Sequence, residues 1–459
     1  MLGKLLQPEI NELIASRSFL SLKEVLATLA PADIADVIED VEQEDRAIIF
    51  RLLARDLAAD VFEYLDFETQ EAMLKSLARS EVAQILNEMA ADDRTELLEE
   101  LPGNATNQLL SLLTPSERAI ATKLLGYPEY SIGRLMTPEY IAVREQWTVQ
   151  QVLDYIRKSG KNKETLLVLY VIDEKGKLID DISIGKFLLA QPDTKVAELV
   201  GTKMVSLNAF DEQEKAIEIF REYDREALPV VDSNGILLGV VTIDDMFDVA
   251  EEEATEDIQK LGGVEALEEP YLDISFATLI KKRVGWLVIL FVSEMFTSTA
   301  MGYFEKEIEK AIVLTLFVPL IMSSGGNSGS QASSLVIRAL ALGEITLKDW
   351  FRVFRRELFS GLALGLMLGC VGFLRIFIWS QFSRTYGEHY ILLSATIMMA
   401  VLGIVLWGTL AGSMLPILLK RFGFDPATSS APFVATLVDV TGIVIYFGVA
   451  SLILSGTLL

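Results

Sequence analysis

The chain has 459 residues, a mean hydropathy of +0.37 and a formal charge of −25. From residue 279 onward it carries 14 Lys/Arg against 10 Asp/Glu, a net of +4, which leaves 26 of the 40 basic and 55 of the 65 acidic residues, a net of −29, to the first 278 positions. An acidic soluble half joined to an apolar half excludes a single globular enzyme, and the acidic front excludes nucleic acid as a partner, because phosphate binding needs Lys and Arg.

The natural counter-charge of such a front is a cation. One cysteine, Cys370, excludes a disulfide framework and a cysteine zinc site by count. The opening residues have no long apolar core and no small-residue cleavage site, so a secretory signal is not expected and the soluble half is expected on the cytoplasmic side.

Residues 1–130 read as a helical-repeat domain. The segments Ile48-Ile49-Phe50-Arg51-Leu52-Leu53, Ala72-Met73-Leu74-Lys75-Ser76-Leu77 and Glu96-Leu97-Leu98-Glu99-Glu100-Leu101 recur every 24 residues, and Asp36-Val37, Asp60-Val61 and Gln84-Ile85 keep the register. Each unit has room for two short helices, and stacked units bury what one alone cannot, which predicts a small superhelix.

Residues 131–198 and 199–248 change to a duplicated strand–turn–helix pattern. Val171-Ile172-Asp173-Glu174-Lys175-Gly176-Lys177-Leu178 matches Val230-Val231-Asp232-Ser233-Asn234-Gly235-Ile236-Leu237, 59 residues later, with an amphipathic helix before each copy. The pair resembles tandem CBS modules, α/β units that associate face to face. The first copy departs from the pattern, with Leu178-Ile179-Asp180-Asp181-Ile182-Ser183 where a hydrophobic strand is expected.

Residues 249–278 form an acidic connection, with Glu251-Glu252-Glu253 and Glu256-Asp257 on a helix that the pair Gly262-Gly263 should end, followed by Glu268-Glu269-Pro270. Residues 279–459 then hold five apolar spans, predicted at 284–304, 312–342, 358–380, 391–419 and 432–456, each long enough to cross a hydrocarbon core of roughly 30 Å. Basic residues cluster at alternate loops, at Lys281-Lys282-Arg283, at Lys348, Arg352, Arg355 and Arg356, and at Lys420-Arg421. That is the positive-inside pattern for a cytoplasmic N-terminus and an outward C-terminus.

Three features of the spans carry chemistry. Ser323-Ser324-Gly325-Gly326-Asn327-Ser328-Gly329-Ser330-Gln331-Ala332-Ser333 is expected to interrupt the second span and expose carbonyls to a cation path, with a small-residue helix contact as the alternative. Asp439, in the last span, is a carboxylate in hydrocarbon, which costs on the order of 3 kcal/mol and points to an ion path; pairing with Arg375 is its structural alternative. Glu294, midway along the first span, is open between an ion path and a protonated interhelical hydrogen bond. No nucleophile–base set or Walker-type phosphate loop is present, so neither an enzyme nor an ATP-driven pump is expected.

In this order, a helical-repeat domain, tandem CBS modules, an acidic connecting helix and five spans resemble the MgtE family of magnesium channels over essentially the whole chain. The most specific segments are Gly325-Gly326-Asn327-Ser328-Gly329-Ser330-Gln331, Pro432-Phe433-Val434-Ala435-Thr436-Leu437-Val438-Asp439-Val440-Thr441-Gly442, and Glu253-Ala254-Thr255-Glu256-Asp257-Ile258. The resemblance implies a homodimer in the lipid of the cytoplasmic membrane, its pore on the two-fold axis and its connecting helix acting as a plug. Asp439 would bind largely hydrated Mg²⁺ there, with Ala435, Gly325, Gly326, Asn327 and Gly329 alongside. Ala431 stands where some members carry an Asn near the pore. The resemblance further implies regulatory divalent cations on Asp92, Asp93, Glu214, Asp224, Asp245, Asp248, Glu253, Glu256 and Asp257, which repel one another when bare. Thr242 with Asp245 fits a ribose position, so ATP is a candidate second ligand. The rival readings are an Na⁺- or H⁺-coupled divalent-cation transporter and a non-transporting sensor anchored in the membrane.

Overall fold

The computed structural model describes residues 2–161, 163–201, 204–267, 271–272, 274–382 and 386–459. It falls into two compact units, residues 1–251 and 252–459. The acidic triplet of the connection, Glu268-Glu269-Pro270, lies outside the described residues.

The first unit opens with ten helices, α1 (Leu2–Ala15), α2 (Phe19–Leu26), α3 (Pro31–Asp40), α4 (Gln43–Leu52), α5 (Arg55–Glu63), α6 (Phe67–Ser76), α7 (Arg79–Glu88), α8 (Ala91–Glu100), α9 (Gly103–Leu110) and α10 (Pro115–Leu124). From α3 onward the odd helices begin at 31, 55, 79 and 103 and the even ones at 43, 67, 91 and 115, so the 24-residue period of the sequence is the period of the fold. Apolar residues of α1 to α10 share one continuous core.

Polar side chains stitch the repeat in the same register. Arg46, Gln70, Arg94 and Arg118 reach back from the even helices to carbonyls at the C-terminal ends of the preceding odd helices, for example Arg94 Nη1 to Leu86 O at 3.0 Å and Arg118 Nε to Leu110 O at 2.7 Å. Helix ends leave carbonyls without intrahelical partners, and these donors satisfy them. In the other direction Glu39, Glu63 and Asn87 accept from the backbone N–H of Asp66, Ala90 and Thr114, the residues just before α6, α8 and α10. α3, α5 and α7 thereby each cap the even helix of the next repeat.

Then follow α11 (Ile132–Leu135), β1 (Ala142–Val143), α12 (Val149–Ser159), β2 (Val168–Ile172), β3 (Leu178–Ser183) and α13 (Ile184–Leu189), and in the second copy β4 (Leu207–Asn208), α14 (Gln213–Tyr223), β5 (Ala227–Val231), β6 (Leu237–Thr242) and α15 (Ile243–Leu261). Each module has a three-stranded sheet, with its first and second strands parallel and its second and third antiparallel. The equivalent turns place Gly176 and Gly235 at φ +83° and +81°, a conformation that glycine adopts without a steric penalty. Asp173 and Asp232 close them by accepting backbone N–H bonds. The modules meet through Val168, Tyr170, Leu178, Val231, Leu237 and Val240. The unusual first copy still forms its strand β3, because Asp180 accepts the N–H of Gly201 at 2.6 Å and Asp181 pairs with Arg225 at 2.7 Å.

Helix α15 starts at Ile243, within the segment the sequence assigns to the second module, and ends before Gly263 (φ +73°), so the rest of 249–278 is not one helix. The apolar region comprises α16 (Phe276–Tyr303), α17 (Glu305–Lys310), a 3₁₀ turn (Ile312–Phe317), α18 (Val318–Ala341), α19 (Trp350–Ser380), α20 (Tyr390–Arg421) and α21 (Ala431–Leu454). Five of its helical segments are long and apolar enough to cross a membrane.

The expected interruption of the second span is not there. α18 runs continuously through Ser323–Ser333, and the irregular stretch is the 3₁₀ turn before it. Backbone contact explains the composition. A Cβ on Gly408 would meet Gly325 O at 2.5 Å and one on Gly412 would meet Gly329 O at 2.1 Å, so α18 and α20 touch main chain to main chain. The alternative reading of that stretch, a small-residue helix contact, is therefore the correct one. Gly361, Gly365 and Gly369 let α19 approach the other side of α20 in the same way.

Candidate functional site

In the first unit, α8 and the start of α15 bring Asp92, Asp93, Asp245 and Asp248 together, with Glu63 and Glu164 beside them. Asp92 is 9% exposed and its Oδ1 has no hydrogen-bond partner. Burial, then Asp93 and Asp245, hold its carboxyl well above the ordinary range. Burial followed by Asp245 pushes Asp93 up to about 6. Burial followed by Asp93 pushes Glu63 up to about 7, against the Ala90 N–H that it accepts. Glu164 is also pushed up to about 7, by loss of solvation and then Asp245. Each shift has the same origin: carboxylates taken from water and set beside like charges favour the neutral form.

Asp245 is raised by burial, opposed by the N–H and hydroxyl of Thr242, whose Oγ1 donates to Asp245 Oδ2 at 2.6 Å. Sequence reasoning missed Glu63 and Glu164. The 24-residue register held a clue to the first, since Glu63 is the repeat equivalent of Glu39 and Asn87. Glu214 and Asp224 do not join the cluster: both are exposed, on α14 and at its left-handed C-cap, and neither is a principal charge acting on Asp92 or Asp93. Among the described residues, no three His, Cys, Asp or Glu side chains converge into a ready-made metal cage.

In the second unit, Glu256 and Asp257 lie at a different place. Lys260 Nζ bonds Glu256 Oε1 at 2.5 Å and Asp425 Oδ2 at 2.7 Å. Burial, then Asp425, raises Asp257. Glu253 is half-buried one turn earlier on α15. Asp425, which the sequence did not single out, precedes the turn leading into α21, and Gly263 abuts Ser430 and Pro432 at the start of that helix.

Within the apolar helices, Asp439 is half-buried on α21 and forms no hydrogen bond or ion pair among the described residues. Arg375 is exposed on α19 and does not pair with it. A Cβ on Gly326 would stand 3.3 Å from the Ala435 Cβ and 3.9 Å from Asp439 Oδ1, so Gly326, Ala435 and Asp439 share one contact between α18 and α21. Ser330 and Ser333 extend it, bonding Ala431 O and Ser429 O at 3.1 Å each. Gly325 and Gly329 turn instead toward Ile404, Val438, Val434 and Gly408, and their carbonyls meet α20 rather than an open path. Asn327 is exposed, bonded to Ser323 at 3.2 Å. With Gln331 and Ser334 these two make an exposed polar stripe at helical spacing along α18.

Comparison with known proteins agrees with this architecture. Residues 318–449 match a family described as a divalent cation transporter, 29–130 the MgtE intracellular N domain, and 132–193 and 196–252 CBS domains. The magnesium transporter MgtE of Thermus thermophilus is 43% identical over 75% of this chain and 74% of its own length. That of Enterococcus faecalis is 32% identical over 72% and 70%. A crystal structure of the cytosolic domain of the Mg²⁺ channel MgtE in complex with ATP aligns with 53% of this chain and all of its own, at 36% identity and a TM-score of 0.51. With five membrane-length helices behind an N domain and a CBS pair, this chain belongs to the MgtE family of magnesium transporters and is a multi-pass membrane protein.

Proposed function

We propose that the chain is a passive, homodimeric Mg²⁺ channel of the cytoplasmic membrane, N-terminus inside and C-terminus outside, closed by cytoplasmic Mg²⁺ on its acidic regions. The observation that carries this reading is the polar stripe Ser323, Asn327, Gln331 and Ser334, exposed on a membrane-length helix that packs beside the unpaired Asp439. Polar groups facing hydrocarbon are costly, so the stripe calls for a second copy or water opposite it. Mg²⁺ sheds its waters reluctantly and is held by one or two carboxylates through those it keeps, which suits a lone Asp439 per subunit better than a carbonyl cage. The loop charges support the orientation.

Closure follows from electrostatics. Asp92, Asp93, Asp245 and Asp248, with Glu63 and Glu164, repel one another when bare, and a divalent ion favours whichever arrangement holds them close. Glu253, Glu256 and Asp257 are the connecting-helix part of the same sensor, and Glu214 and Asp224 a more exposed one. ATP is the candidate second ligand, since the related cytosolic domain was crystallised with it. On Thr242 and Asp245 it would compete with a divalent ion for the same carboxylate.

The test is Mg²⁺ uptake into proteoliposomes. Asp439→Ala should abolish it, and unchanged uptake would remove Asp439 from the pore. Replacing Glu253, Glu256 and Asp257 together by Ala should leave current flowing at high internal Mg²⁺; ordinary inhibition in patch recordings would take them out of the gate.

A further inference from the structure

Glu294 is a carboxylate on a membrane-length helix that the proposed mechanism leaves unused. Its helix, α16, packs chiefly on α21, and two ring contacts fix how the helices run together: Trp286 against Phe433, centroids 6.3 Å apart, and Phe304 stacked on Phe447 at 5.1 Å. Glu294 stands 8 of the 18 residues from Trp286 to Phe304, and Asp439 stands 6 of the 14 from Phe433 to Phe447. Both lie just under half-way, so the two carboxylates are at one depth on neighbouring helices, and the charge of Glu294 acts on Asp439.

The face is also right. Thr297, one turn further along α16, is 4% exposed and the one buried side chain of that helix among the described residues, and Glu294, three residues before it, is exposed on the adjoining part of the helix surface. The Thr297 Oγ1 has no hydrogen-bond partner, and neither acid has a basic partner among the described residues. Two carboxylates thus sit at one level of an apolar region without a counter-charge, with an unused hydroxyl one turn away. A divalent cation offsets twice as much of that negative charge as Na⁺ does.

We propose that Glu294 is the second carboxylate of the cation site at Asp439, acting through the waters that the ion keeps, and that it sets the preference for divalent over monovalent cations. This rests on the reading of Asp439 as the conduction site, so the experiment carries both residues. Full-length wild type, Glu294→Gln, Glu294→Asp and Asp439→Asn are reconstituted, and Mg²⁺ uptake is titrated with and without external Na⁺.

Glu294→Gln removes two of the four carboxylates that the homodimer would turn to the ion, and should raise the half-saturating Mg²⁺ about tenfold. It should also make uptake sensitive to Na⁺, while Glu294→Asp stays near wild type in both and Asp439→Asn abolishes uptake. Wild-type half-saturation and Na⁺ insensitivity in Glu294→Gln, with Asp439→Asn inactive, overturns the inference and leaves the pore reading standing. Full activity of Asp439→Asn overturns the pore reading itself. A Glu294→Gln protein that loses only its response to an imposed pH gradient assigns Glu294 to proton coupling and also overturns the inference. If Glu294→Gln does not fold, Glu294→Leu decides: wild-type half-saturation and Na⁺ insensitivity in a chain with no carboxylate at that position overturns the proposal.

Discussion

The main-chain contact between α18 and α20 makes a sharp prediction. A methyl group on Gly412 would stand 2.1 Å from Gly329 O, where ordinary contact begins near 3.4 Å, so Gly412→Ala must open the helix pair by about 1.3 Å. Gly408→Ala, at 2.5 Å from Gly325 O, needs about 0.9 Å. Overpacking of this kind costs about 1–3 kcal/mol, and a unit of this size loses roughly 2–4 °C of melting temperature per kcal/mol. Gly442→Ala is the control: its nearest neighbour would be Ile404 at 3.7 Å, ordinary van der Waals distance. Thermal unfolding of full-length protein in detergent should rank the variants Gly442→Ala, Gly408→Ala, Gly412→Ala in increasing damage. Mg²⁺ uptake should fall in the same order, because α18 pushed off α20 moves toward Ala435 and Asp439. A Gly412→Ala protein with wild-type melting and uptake would refute the backbone contact, and with it the continuous helix that the contact holds.

Two further outcomes follow from the acidic unit. Glu63 has a folded-state pKa of about 7 against about 4.5 unfolded, so its penalty is fully present above pH 7, is relieved as pH falls through 7, and is gone below 4.5. In chelator, limited proteolysis should show residues 1–251 growing more resistant from pH 8 to pH 5, with Glu63 alone contributing on the order of 2 kcal/mol; resistance that falls over that range contradicts the cluster. Arg94→Ala strips the fully buried guanidinium from Leu86 O, Met89 O and Glu117, and should cost about 3–5 kcal/mol by denaturant unfolding. Arg118→Ala, whose arginine makes only carbonyl bonds at the surface, should cost less.

The sequence made the helical repeat legible because its period is written twice, in apolar residues and in helix starts. The stitches between repeats were hidden, since nothing in a lone Glu63 says that it caps a helix 27 residues away. Duplicated Asp-x-x-Gly turns identified the paired modules. The departure at Asp180-Asp181 resolved only when Gly201 and Arg225 supplied partners 21 and 44 residues downstream. The Gly/Ser stretch of α18 misled for a related reason. Composition there fits an unwound segment and a closely packed helix equally well, and the deciding glycines, 408 and 412, lie 83 residues further on. Asp439 stands out in the sequence because an acid in an apolar run has few structural uses. Asp425 was not, because an acid in a loop has many.

A continuous α18 changes how the proposed ion site at Asp439 would have to work. With its glycine face closed on α20, the helix keeps its own hydrogen bonds and offers no bare carbonyl ladder that could replace an ion's water shell. In the proposed channel, recognition would fall to side chains and retained water, the regime that suits Mg²⁺. The same rigidity gives the connecting helix something to act on. α15 is tied to Asp425 through Lys260, and Gly263 lies against Ser430 and Pro432, which begin the helix bearing Asp439. Asp439 stands eight residues beyond Ala431, about 12 Å along α21. A change of charge at Asp257 or Asp425 therefore meets α21 at its first turn, and in the proposed channel a small displacement there would be carried along a stiff rod to Asp439.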